Sequence, residues 1–551
     1  MRKIIFLLFF IFLIIFTFSV GADADAELEM SIRDHLIVIE DREGDFPEDE
    51  HIEFYQELHD FYNSRNHKPI WFGENKMKID VDQLLKEIEA SYHEGLNPED
   101  YHLSFIKDAL EDEDIFNNEN RDLRAVTDII LTDAYLKLAA HYLSGKIDPD
   151  SIKKDYNLNH DNLDSEKLLS DLISEDNLRQ QLREQLPKSD NYQHLKDKLY
   201  YYRDSGKIIS WPKISEGEIL AEKASGARVG QLIKNLVARN YLSENYLEKE
   251  DYFDENIKSA VVIFQRNNGL NSDGIVGQST IKALNTSLDQ RIKQIIINME
   301  RWRWLPEKLG EKYIYVNIAD YNLKVYEYNE IIMEMKTIVG KEQRSTPVFS
   351  DNIKYLVLNP YWYVPESIAV EDKLPLIKED IDYLKDNNYS LFKYIGNNNL
   401  EKIEAEDVEW KEIDEDNFNY LLRQNPGDNN ALGRFKFMFP NKFDIYLHDT
   451  PSKNLFEESD RGFSSGCIRI EKPIDLAEYL LRDKEDWSRE EIEEEIKKDK
   501  EKTIYLKEPY PIYLQYNTAW VDELGALNFR EDIYNRDSSL IQAYFDNKEF
   551  K

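Results

Sequence analysis

Two side chains in the C-terminal part of this 551-residue chain have the types that nucleophilic chemistry needs. Cys467 is the only cysteine, and His448, nineteen positions earlier, is the only histidine after His194. A thiolate is the reactive form of cysteine, and a neighbouring imidazole would generate it near neutral pH. If this part of the chain uses a cysteine and an imidazole, these two residues are the single available pair. The alternative interpretation is that Cys467 is a small buried residue and His448 a loop residue.

The residues around Cys467 favour the chemical interpretation. It lies in Ser464-Ser465-Gly466-Cys467-Ile468-Arg469, where Gly466 permits a tight turn and a close approach by substrate. Backbone N–H groups around Gly466 and Cys467 are expected to face a developing oxyanion. Arg469 is expected to lower the pKa of the thiol or to hold a substrate carboxylate. A helix predicted to begin at Pro473 adds a positive dipole end nearby.

The elements that must position this pair are mainly strands. Alternation from Phe443 to Leu447 predicts a strand that ends just before His448. Residues 300–540 are predicted to form a mainly β domain, with a charged, helical or irregular insertion over about 365–433. A second insertion over 488–502 begins with a capping box at Ser488 and Glu491 and is interpreted as a solvated helix. The other predicted strands lie within Tyr313–Ile318, Leu323–Tyr326, Tyr355–Leu358 and Thr503–Leu506.

Helical patterns precede the β domain. Over residues 51–215 the apolar spacing predicts a helical domain, in which Gly145 ends one helix. Residues 217–289 are predicted to form a small helical module with one helix ending near Gly269 and another over Thr280–Leu284. A turn is predicted between them at Asp273-Gly274.

Composition and charge exclude several classes of protein. Hydrophobic residues make up 41% of the chain, enough for buried cores in several domains. The formal net charge of −38 argues against nucleic acid as a partner. One cysteine permits no internal disulfide, no four-cysteine zinc site and no iron–sulfur cluster. A single histidine after residue 194 excludes a two-histidine zinc site there, and no phosphate-binding glycine-rich loop is present. We therefore expect no metal and no cofactor.

The N-terminus predicts export. Arg2 and Lys3 precede an apolar run from Ile4 to Phe18, and Val20-Gly21-Ala22 has the small residues of a cleavage site. Residues 1–22 are therefore predicted to be a signal peptide, with an uncleaved membrane anchor as the alternative. Residues 23–50 are predicted to be an acidic linker. The mature protein is expected in the periplasm or cell envelope.

The chain resembles L,D-transpeptidases with a YkuD-type catalytic domain, and more narrowly their large YcbB-like branch. The stretch from His448-Asp449-Thr450-Pro451 to Ser464–Arg469 carries the signature, and the module around Gly269–Leu284 resembles peptidoglycan-binding domain 1. Many members of the wider family have histidine where this chain has Ser465. Further stretches that carry the resemblance are Glu94–Tyr101, Glu300–Pro306, Thr346–Phe349, Asn359–Pro365, Pro426–Gly427, Asn430–Gly433 and Lys436–Asn441.

The resemblance implies a fold and a set of site residues. The fold is multidomain α+β, with a helical scaffold domain, a small helical peptidoglycan-binding-like module, and a mainly β catalytic domain with a helical cap insertion. Cys467 is implied as the nucleophile and His448 as the general base and acid. The residues implied in oxyanion or substrate binding are Ser465, Gly466, Arg469, Tyr446 and Asp449. The residues implied at the mouth under the cap are Trp362 and Tyr363.

The resemblance also implies a reaction. Cys467 attacks the third residue of a peptidoglycan stem tetrapeptide, D-alanine leaves, and an amine of a second stem attacks the acyl-enzyme to form a 3→3 cross-link. Stem peptides are the partners, and carbapenem-type β-lactams are the expected inhibitors. Two alternatives stay open. Water could replace the acceptor amine, giving an L,D-carboxypeptidase or a wall-linkage hydrolase, or the chain could be a non-catalytic wall-binding scaffold. The small module binds wall polymer or acts as a spacer.

Overall fold

The computed structural model describes most of the chain beyond the N-terminus. The predicted signal or anchor over residues 1–22 lies outside the described residues and stays a prediction. Across the part of the chain that is described, no helix is both long and apolar enough to cross a membrane. The described residues are 26–46, 50–73, 76–117, 120–152, 156–157, 163–174, 177–204, 211–249, 251–395 and 399–545.

Helices and strands are numbered in chain order. The helices are α1 (residues 26–41), α2 (Tyr55–Ser64), α3 (Val81–Ala90), α4 (Leu103–Glu111), α5 (Arg121–Ser144), α6 (Pro149–Ile152), α7 (Ser165–Ser174), α8 (Leu178–Glu184), α9 (Asp190–Asp204), α10 (Ala227–Ala238), α11 (Glu255–Asn267), α12 (Gln278–Leu284), α13 (Leu288–Arg303), α14 (Glu366–Ile368), α15 (Leu374–Glu379), α16 (Tyr383–Asp386), α17 (Pro473–Leu481), α18 (Arg489–Ile496) and α19 (Arg536–Phe545). The strands are β1 (Tyr156–Asn157), β2 (Lys312–Asn317), β3 (Asn322–Glu327), β4 (Glu330–Gly340), β5 (Val348–Leu358), β6 (Trp362–Tyr363), β7 (Tyr389–Tyr394), β8 (Leu400–Ile403), β9 (Tyr420–Gln424), β10 (Phe435–Met438), β11 (Leu447–His448), β12 (Gly462–Ser464), β13 (Ile468–Ile470), β14 (Lys502–Gln515), β15 (Ala519–Val521) and β16 (Leu527–Phe529).

The N-terminal region is helical, as the apolar spacing predicts. Its central helix, α5, is buried around most of its circumference, which is the pattern of a helix at the centre of a core. Gly145 ends α5 with φ +88°, and a Cβ there would lie 2.5 Å from Oε1 of Glu300. Only glycine fits this backbone conformation and this close approach. The predicted helix end at Gly145 is confirmed.

Helix α1 differs from the acidic linker predicted over residues 23–50. It packs Leu28, Ile32, Leu36 and Ile39 into the core of the N-terminal region. These residues recur every three or four positions, which is the period of one helix face. The prediction of a linker was based on the acidic residues beyond position 40 and did not take the regular spacing of these apolar residues into account.

The small module has its own core, formed by α10, α11 and α12. The Asp254 carboxylate caps α11 by accepting a hydrogen bond from the Ile257 N–H at 2.9 Å. The Gln265 side-chain oxygen accepts a hydrogen bond from the Gly274 N–H at 2.8 Å and so fixes the turn before α12. The two helices and the turn predicted here are confirmed.

A closed sheet with both antiparallel and parallel strand pairs forms the C-terminal domain. Its strands run in the order β5-β10-β11-β13-β4-β3-β2-β14, and β14 also pairs with β5, so the sheet closes on itself. Two further short strands join this sheet: β1 pairs with β5, and β12 pairs with β4. An apolar core inside it includes Leu356, Phe437, Leu447 and Ile468. Neighbouring strands of this barrel therefore hold the candidate site residues at fixed spacing.

The insertion between β5 and β10 forms a separate cap with its own apolar core. The sequence predicts a helical or irregular cap, and the cap does contain the short helices α14, α15 and α16 together with a π-helical turn at Ala369–Lys373. It also contains a four-stranded antiparallel sheet in the order β6-β9-β7-β8. These strands were not predicted, because the segment is rich in charged residues.

Buried ion pairs on α13 connect the N-terminal region to the barrel. Arg301 pairs with Asp537 of α19 at 2.7 Å, and Arg303 pairs with Glu300 at 3.0 Å. Arg303 also donates to the carbonyl oxygen of Glu94 at 2.6 Å. Because breaking a buried pair leaves an uncompensated charge, these contacts hold the two regions in one arrangement.

Candidate active site

A cleft of about 860 Å³ lies between the barrel and the cap. It brings together most of the residues that the sequence predicts for the site, together with four basic residues that it does not predict. The predicted residues that line it are Cys467, His448, Arg469, Tyr446, Ser465, Trp362 and Tyr363. The additional basic residues are Lys341, Arg344, Lys373 and Lys436.

His448 lies within a strand, not after one as predicted. The backbone before it is irregular because the Asn441 side chain accepts hydrogen bonds from the Phe443 and Ile445 N–H groups and donates to the Ile445 carbonyl oxygen. Asp444 has φ +55°, which also breaks the strand. The strand is therefore reduced to β11, and the predicted strand Phe443–Leu447 is wrong in its extent.

Strand register aligns His448 with two basic side chains. In β11, His448 lies opposite Lys436 of β10 and Arg469 of β13. Directly paired residues on neighbouring strands point to the same face of a sheet. The three side chains therefore form a row across the cleft floor. Sequence analysis missed Lys436 because only the strand pairing places it beside His448.

The His448 ring is held by a backbone carbonyl. Its Nδ1 lies 2.5 Å from the carbonyl oxygen of Asp449. Burial lowers its pKa, Arg469 lowers it further, and the contact with Asp449 only partly opposes them, so the pKa falls to about 3. With Nδ1–H donated to the carbonyl, the neutral ring has Nε2 as its free acceptor.

The Asp449 carboxylate does not contact the ring. It accepts a hydrogen bond from the Arg434 N–H at 2.8 Å and pairs with Lys453 at 2.5 Å. It also fills the space beside Gly433, where an added Cβ would lie 2.3 Å from Oδ2. The carboxylate therefore holds the chain on either side of β11, while the carbonyl of the same residue orients His448.

Cys467 follows a tight turn at Gly466, as the sequence predicts. Gly466 has φ +114°, and a Cβ there would lie 3.3 Å from Cδ1 of Ile445. Thr346 donates to the Gly466 carbonyl oxygen at 2.7 Å, and the Ser464 hydroxyl donates to the Cys467 carbonyl oxygen at 2.6 Å. The Gly466 N–H itself donates to the Ser464 hydroxyl at 3.2 Å, so this donor is engaged inside the turn instead of facing the cleft.

The Cys467 thiol is half-buried and points along the cleft wall. Its Sγ lies 3.7 Å from the Asp444 carbonyl oxygen. Burial raises the pKa of this thiol, while hydrogen bonding to Tyr446 and the charge of Lys436 oppose the rise. The thiol form therefore predominates at neutral pH, and a base must take its proton before it can act as a nucleophile.

Lys436 and Arg469 make the cleft electropositive. Among the described residues, neither of them forms an ion pair, and the Arg469 Nε is buried without a hydrogen-bond partner. Lys436 lies 4.0 Å above the Tyr446 ring. Burial lowers the pKa of both basic groups. Two desolvated cations are a receptor for carboxylate groups.

Arg344 connects the Cys467 turn to the cap. Its Nη1 donates to the Ser465 hydroxyl at 2.9 Å and to Asp372 at 2.9 Å, and its Nη2 pairs with Glu371. Both acidic residues lie in the π-helical turn of the cap. Sequence analysis missed Arg344 because its role depends on contacts that only the fold creates.

Trp362 and Tyr363 lie at the junction of the cap and the cleft. Trp362 is buried with the Lys373 ammonium 5.6 Å from its ring, whereas Tyr363 is 55% exposed. Both line the cleft, as expected of residues at its mouth. Alternation along β6 places one ring inward and the other outward.

Comparison with protein families assigns three regions of the chain. Residues 311–497 match the YkuD family, described as "L,D-transpeptidase catalytic domain". Most of the C-terminal barrel lies within this match. Residues 225–284 match the family described as "Putative peptidoglycan binding domain", and residues 56–199 match a scaffold domain. The resemblance to YkuD-type L,D-transpeptidases and the multidomain α+β fold are thereby confirmed, while the narrower YcbB-like branch stays a prediction.

A curated relative agrees with this assignment. The chain is 35% identical over 264 residues to a protein of Haemophilus influenzae named "Putative L,D-transpeptidase". The alignment covers 48% of this chain and 52% of the relative, so the chain spans about half the length of that relative.

Solved structures of catalytic domains with this name are also similar to the chain. An L,D-transpeptidase from Mycobacterium smegmatis has 12% identity and a TM-score of 0.18, covering 37% of this chain and 58% of its own. Residues 123–326 of the Xylanimonas cellulosilytica L,D-transpeptidase have 11% identity and a TM-score of 0.18, covering 55% of this chain and 99% of that chain. These scores are too low to carry an argument, and the assignment rests on the family matches.

Proposed function

We propose that the protein is an L,D-transpeptidase that forms 3→3 peptidoglycan cross-links through a Cys467 acyl-enzyme. The observation that carries this proposal is the cleft in which the single cysteine of the chain shares a wall with a neutral, carbonyl-anchored His448. Two unpaired basic side chains in the same cleft suit a substrate that is rich in carboxylates. The catalytic-domain match supports the reaction class.

The first step is acylation. Nε2 of His448 takes the thiol proton as Sγ of Cys467 attacks the carbonyl carbon of the third stem residue. The C–N bond to D-alanine then breaks, and the imidazolium returns its proton to the leaving amine. A histidine with a strongly lowered pKa gives the proton up readily, which suits the second half of this step.

Two groups of donors support the tetrahedral intermediate and the substrate. Because the Gly466 N–H is engaged by Ser464, we assign the oxyanion to the backbone N–H groups of Ser465 and Cys467, a contribution of about 3 kcal/mol for each well-placed donor. Arg469 and Lys436 receive carboxylates of the stem peptide. The Tyr446 hydroxyl stabilises the thiolate as it forms.

The second step transfers the acyl group. The side-chain amine of a diamino acid in a second stem attacks the thioester, the C–S bond breaks, and the thiolate of Cys467 recovers its proton through His448. The cap covers the cleft while this occurs, and Trp362 and Tyr363 border the entry path. A cleft that limits water favours the amine over hydrolysis.

The proposal has a direct test. Purified disaccharide-tetrapeptide is incubated with the protein and with Cys467→Ala, and the products are read by mass spectrometry. A cross-linked dimer that lacks one D-alanine, and that is absent with the variant, is the expected result. Tripeptide alone would replace the transpeptidase with an L,D-carboxypeptidase on the same site. Unchanged substrate with both proteins, in a sample shown to be folded, would favour a wall-binding scaffold.

The same chemistry predicts the inhibitors and the location. Carbapenem-type β-lactams present a strained amide carbonyl, and Cys467 is expected to open the ring and to keep the inhibitor as a covalent adduct visible by intact mass. Cys467→Ala should show no adduct. The assembled wall lies beyond the cytoplasmic membrane, so a protein that cross-links it acts in the cell envelope, in agreement with residues 1–22 as a predicted signal or anchor.

A further inference from the structure

The contacts of Arg344 join three parts of the protein that meet at the catalytic cleft. The residue lies in the barrel, at the end of a short helical turn between β4 and β5. Its Nη1 donates to the Ser465 hydroxyl at 2.9 Å and to Asp372 of the cap at 2.9 Å, and its Nη2 pairs with Glu371 of the cap. One guanidinium group thus connects the barrel, the turn that carries the cysteine, and the cap.

The backbone of Arg344 is fixed to the barrel. Its N–H donates to the Lys341 carbonyl oxygen at 2.9 Å, and the Lys341 N–H donates to the Ser464 carbonyl oxygen at 2.9 Å. The loop folds back so closely on Gly340 that an added Cβ there would clash with the Arg344 carbonyl oxygen. The guanidinium therefore reaches into the cleft from a defined position beside β12, the strand that leads into the cysteine turn.

Ser465 is exposed in the turn that carries Cys467. The next residue, Gly466, is held from inside the barrel, because the Thr346 hydroxyl donates to its carbonyl oxygen at 2.7 Å. The Ser465 side chain is instead held from the cleft side, by Arg344. Since the Ser465 N–H is one of the oxyanion donors in the proposed reaction, a contact that orients this residue affects the chemistry of the site.

The partners of Arg344 in the cap are open to solvent. Glu371 and Asp372 belong to the π-helical turn Ala369–Lys373, a rare conformation that is frequent at functional sites. Their side chains are 61% and 39% exposed, whereas that of Arg344 is 16% exposed. Ion pairs with exposed partners are weak. The contact can therefore open when a stem peptide enters the cleft and form again over the bound peptide.

We propose that Arg344 is a positioning residue that couples closure of the cap to the orientation of Ser465, an inference that rests on the proposed function. With the contact formed, the cap limits water in the cleft while the Ser465 N–H faces the tetrahedral intermediate. With the contact broken, water attacks the thioester carbonyl and the C–S bond breaks, which releases a tripeptide carboxylate and the free thiol. Arg344 therefore sets the ratio of cross-linking to hydrolysis.

The test counts the two products of one acyl-enzyme. The full chain and its Arg344→Gln variant are incubated with disaccharide-tetrapeptide, and cross-linked dimer and tripeptide are measured by mass spectrometry. Arg344→Gln should raise the ratio of tripeptide to dimer about tenfold, because charged hydrogen bonds to the cap and the turn are lost. The kcat for dimer formation should fall more than KM changes. Arg344→Lys should restore part of the dimer, because an ammonium group keeps the charge and lacks the planar fork.

A second variant tests whether the cap acts through this contact. Asp372→Asn removes one carboxylate partner and leaves the guanidinium in place. The double variant Arg344→Gln/Asp372→Asn should have the product ratio of Arg344→Gln alone, whereas independent effects would multiply.

Arg434→Gln is the matched control. The Arg434 side chain is 18% exposed and pairs with Asp428 and Asp499, both at 2.5 Å, but it does not line the cleft. The variant therefore loses a guanidinium with two carboxylate partners, as Arg344→Gln does, without touching the cysteine turn. Its product ratio should equal that of the parent protein.

Hydrogen exchange followed by mass spectrometry tests the coupling without turnover. In protein that carries Cys467→Ala, Arg344→Gln should speed amide exchange both in the cap turn Ala369–Lys373 and in residues 464–468. Arg434→Gln should leave the exchange of residues 464–468 unchanged.

Three results would overturn the proposal: unchanged exchange in both segments, equal product ratios in the Arg344→Gln and Arg434→Gln proteins, or effects of Arg344→Gln and Asp372→Asn that multiply. Failure of the proposed function has a different signature. If the parent protein yields neither product while exchange in both segments depends on Arg344, the proposed function fails and the coupling of cap and turn stands. Dimer formation with a product ratio that does not depend on Arg344 supports the proposed function alone.

Discussion

Two histidines of this protein are buried to the same degree and have opposite surroundings. His448 is 5% exposed and His102, in the scaffold region, is 4% exposed. The Nδ1 atom of His448 meets the carbonyl oxygen of Asp449, and its neighbours are basic. The two ring nitrogens of His102 meet the carboxylates of Glu50 and Asp133, at 2.5 Å and 2.9 Å.

The difference shows how partners, more than burial, set the charge of a histidine. Burial lowers the pKa of both rings. At His102, the hydrogen bonds and charges of Asp133 and Glu50 outweigh burial and raise the pKa. The two carboxylates favour the imidazolium form of His102, whereas burial and basic neighbours favour the neutral form of His448, which suits a base.

The largest expected effect separates the two residues by activity. His448→Gln should lower kcat/KM for cross-linking about 10³-fold, because the proposed general base and acid is lost. The thermal unfolding midpoint should stay close to that of the parent protein. His102→Asn is the control and should keep the activity per folded molecule. Equal losses in both variants would contradict the division of roles.

The second effect concerns stability. His102 has φ +58°, a left-handed conformation that asparagine also adopts, so His102→Asn removes the ion pairs without new backbone strain. Because Asp133 is fully buried, losing its cationic partner should lower the free energy of unfolding by about 3 kcal/mol. Urea denaturation at pH 6 measures this change. A stability equal to the parent would show that the pair contributes nothing net.

The third effect is a pair of opposite pH dependences. The raised pKa of His102 gives a contribution to stability that is fully present below the unfolded value of 6.5 and is lost as the pH rises through the folded value. The lowered pKa of His448, about 3, gives a contribution that is full above 6.5 and is lost as the pH falls toward 3. At high pH both rings are neutral, so the urea midpoints of both variants should approach that of the parent. As the pH falls to 4, the parent midpoint should rise above that of His102→Asn and fall below that of His448→Gln. Parallel profiles would refute the assigned charges.

The smallest effect tests which part of Asp449 holds the base. Asp449→Asn keeps the backbone carbonyl and an oxygen for the Arg434 N–H, and it loses only the pair with the half-exposed Lys453 ammonium. Activity in the cross-linking assay should stay within about threefold of the parent. A hundredfold loss would mean that the carboxylate orients His448 after all. Asp133→Asn, by comparison, should destabilise the scaffold region.

Local signals in the sequence predicted much of the framework. Gly145 ends α5, Ser488 and Glu491 form the capping box of α18, and α17 begins at Pro473, each as its residue type requires. Short-range chemistry decides such features. The prediction failed for the strand before His448, because the Asn441 side chain replaces the ladder bonds there.

The candidate site was also predicted only in part, because some of its residues can be chosen by residue type and others only by contacts between distant parts of the chain. The scarcity of cysteine and histidine was sufficient to choose Cys467 and His448. Lys436 and Arg344 were missed because their importance comes from strand register and from contacts with the cap. The sequence also could not distinguish the carbonyl of Asp449 from its carboxylate as the group that orients the ring.

The sequence by itself determined the candidate pair Cys467 and His448, the glycine turn at Gly466 and the order of the domains, because each depends on residue type or on neighbours along the chain. Tertiary structure alone decided the surroundings that shift the pKa of His102 upward and that of His448 downward, and the row formed by Lys436, His448 and Arg469. These properties depend on distances between groups far apart in the chain. Burial and Coulomb interactions act through space, and only the folded chain sets those distances.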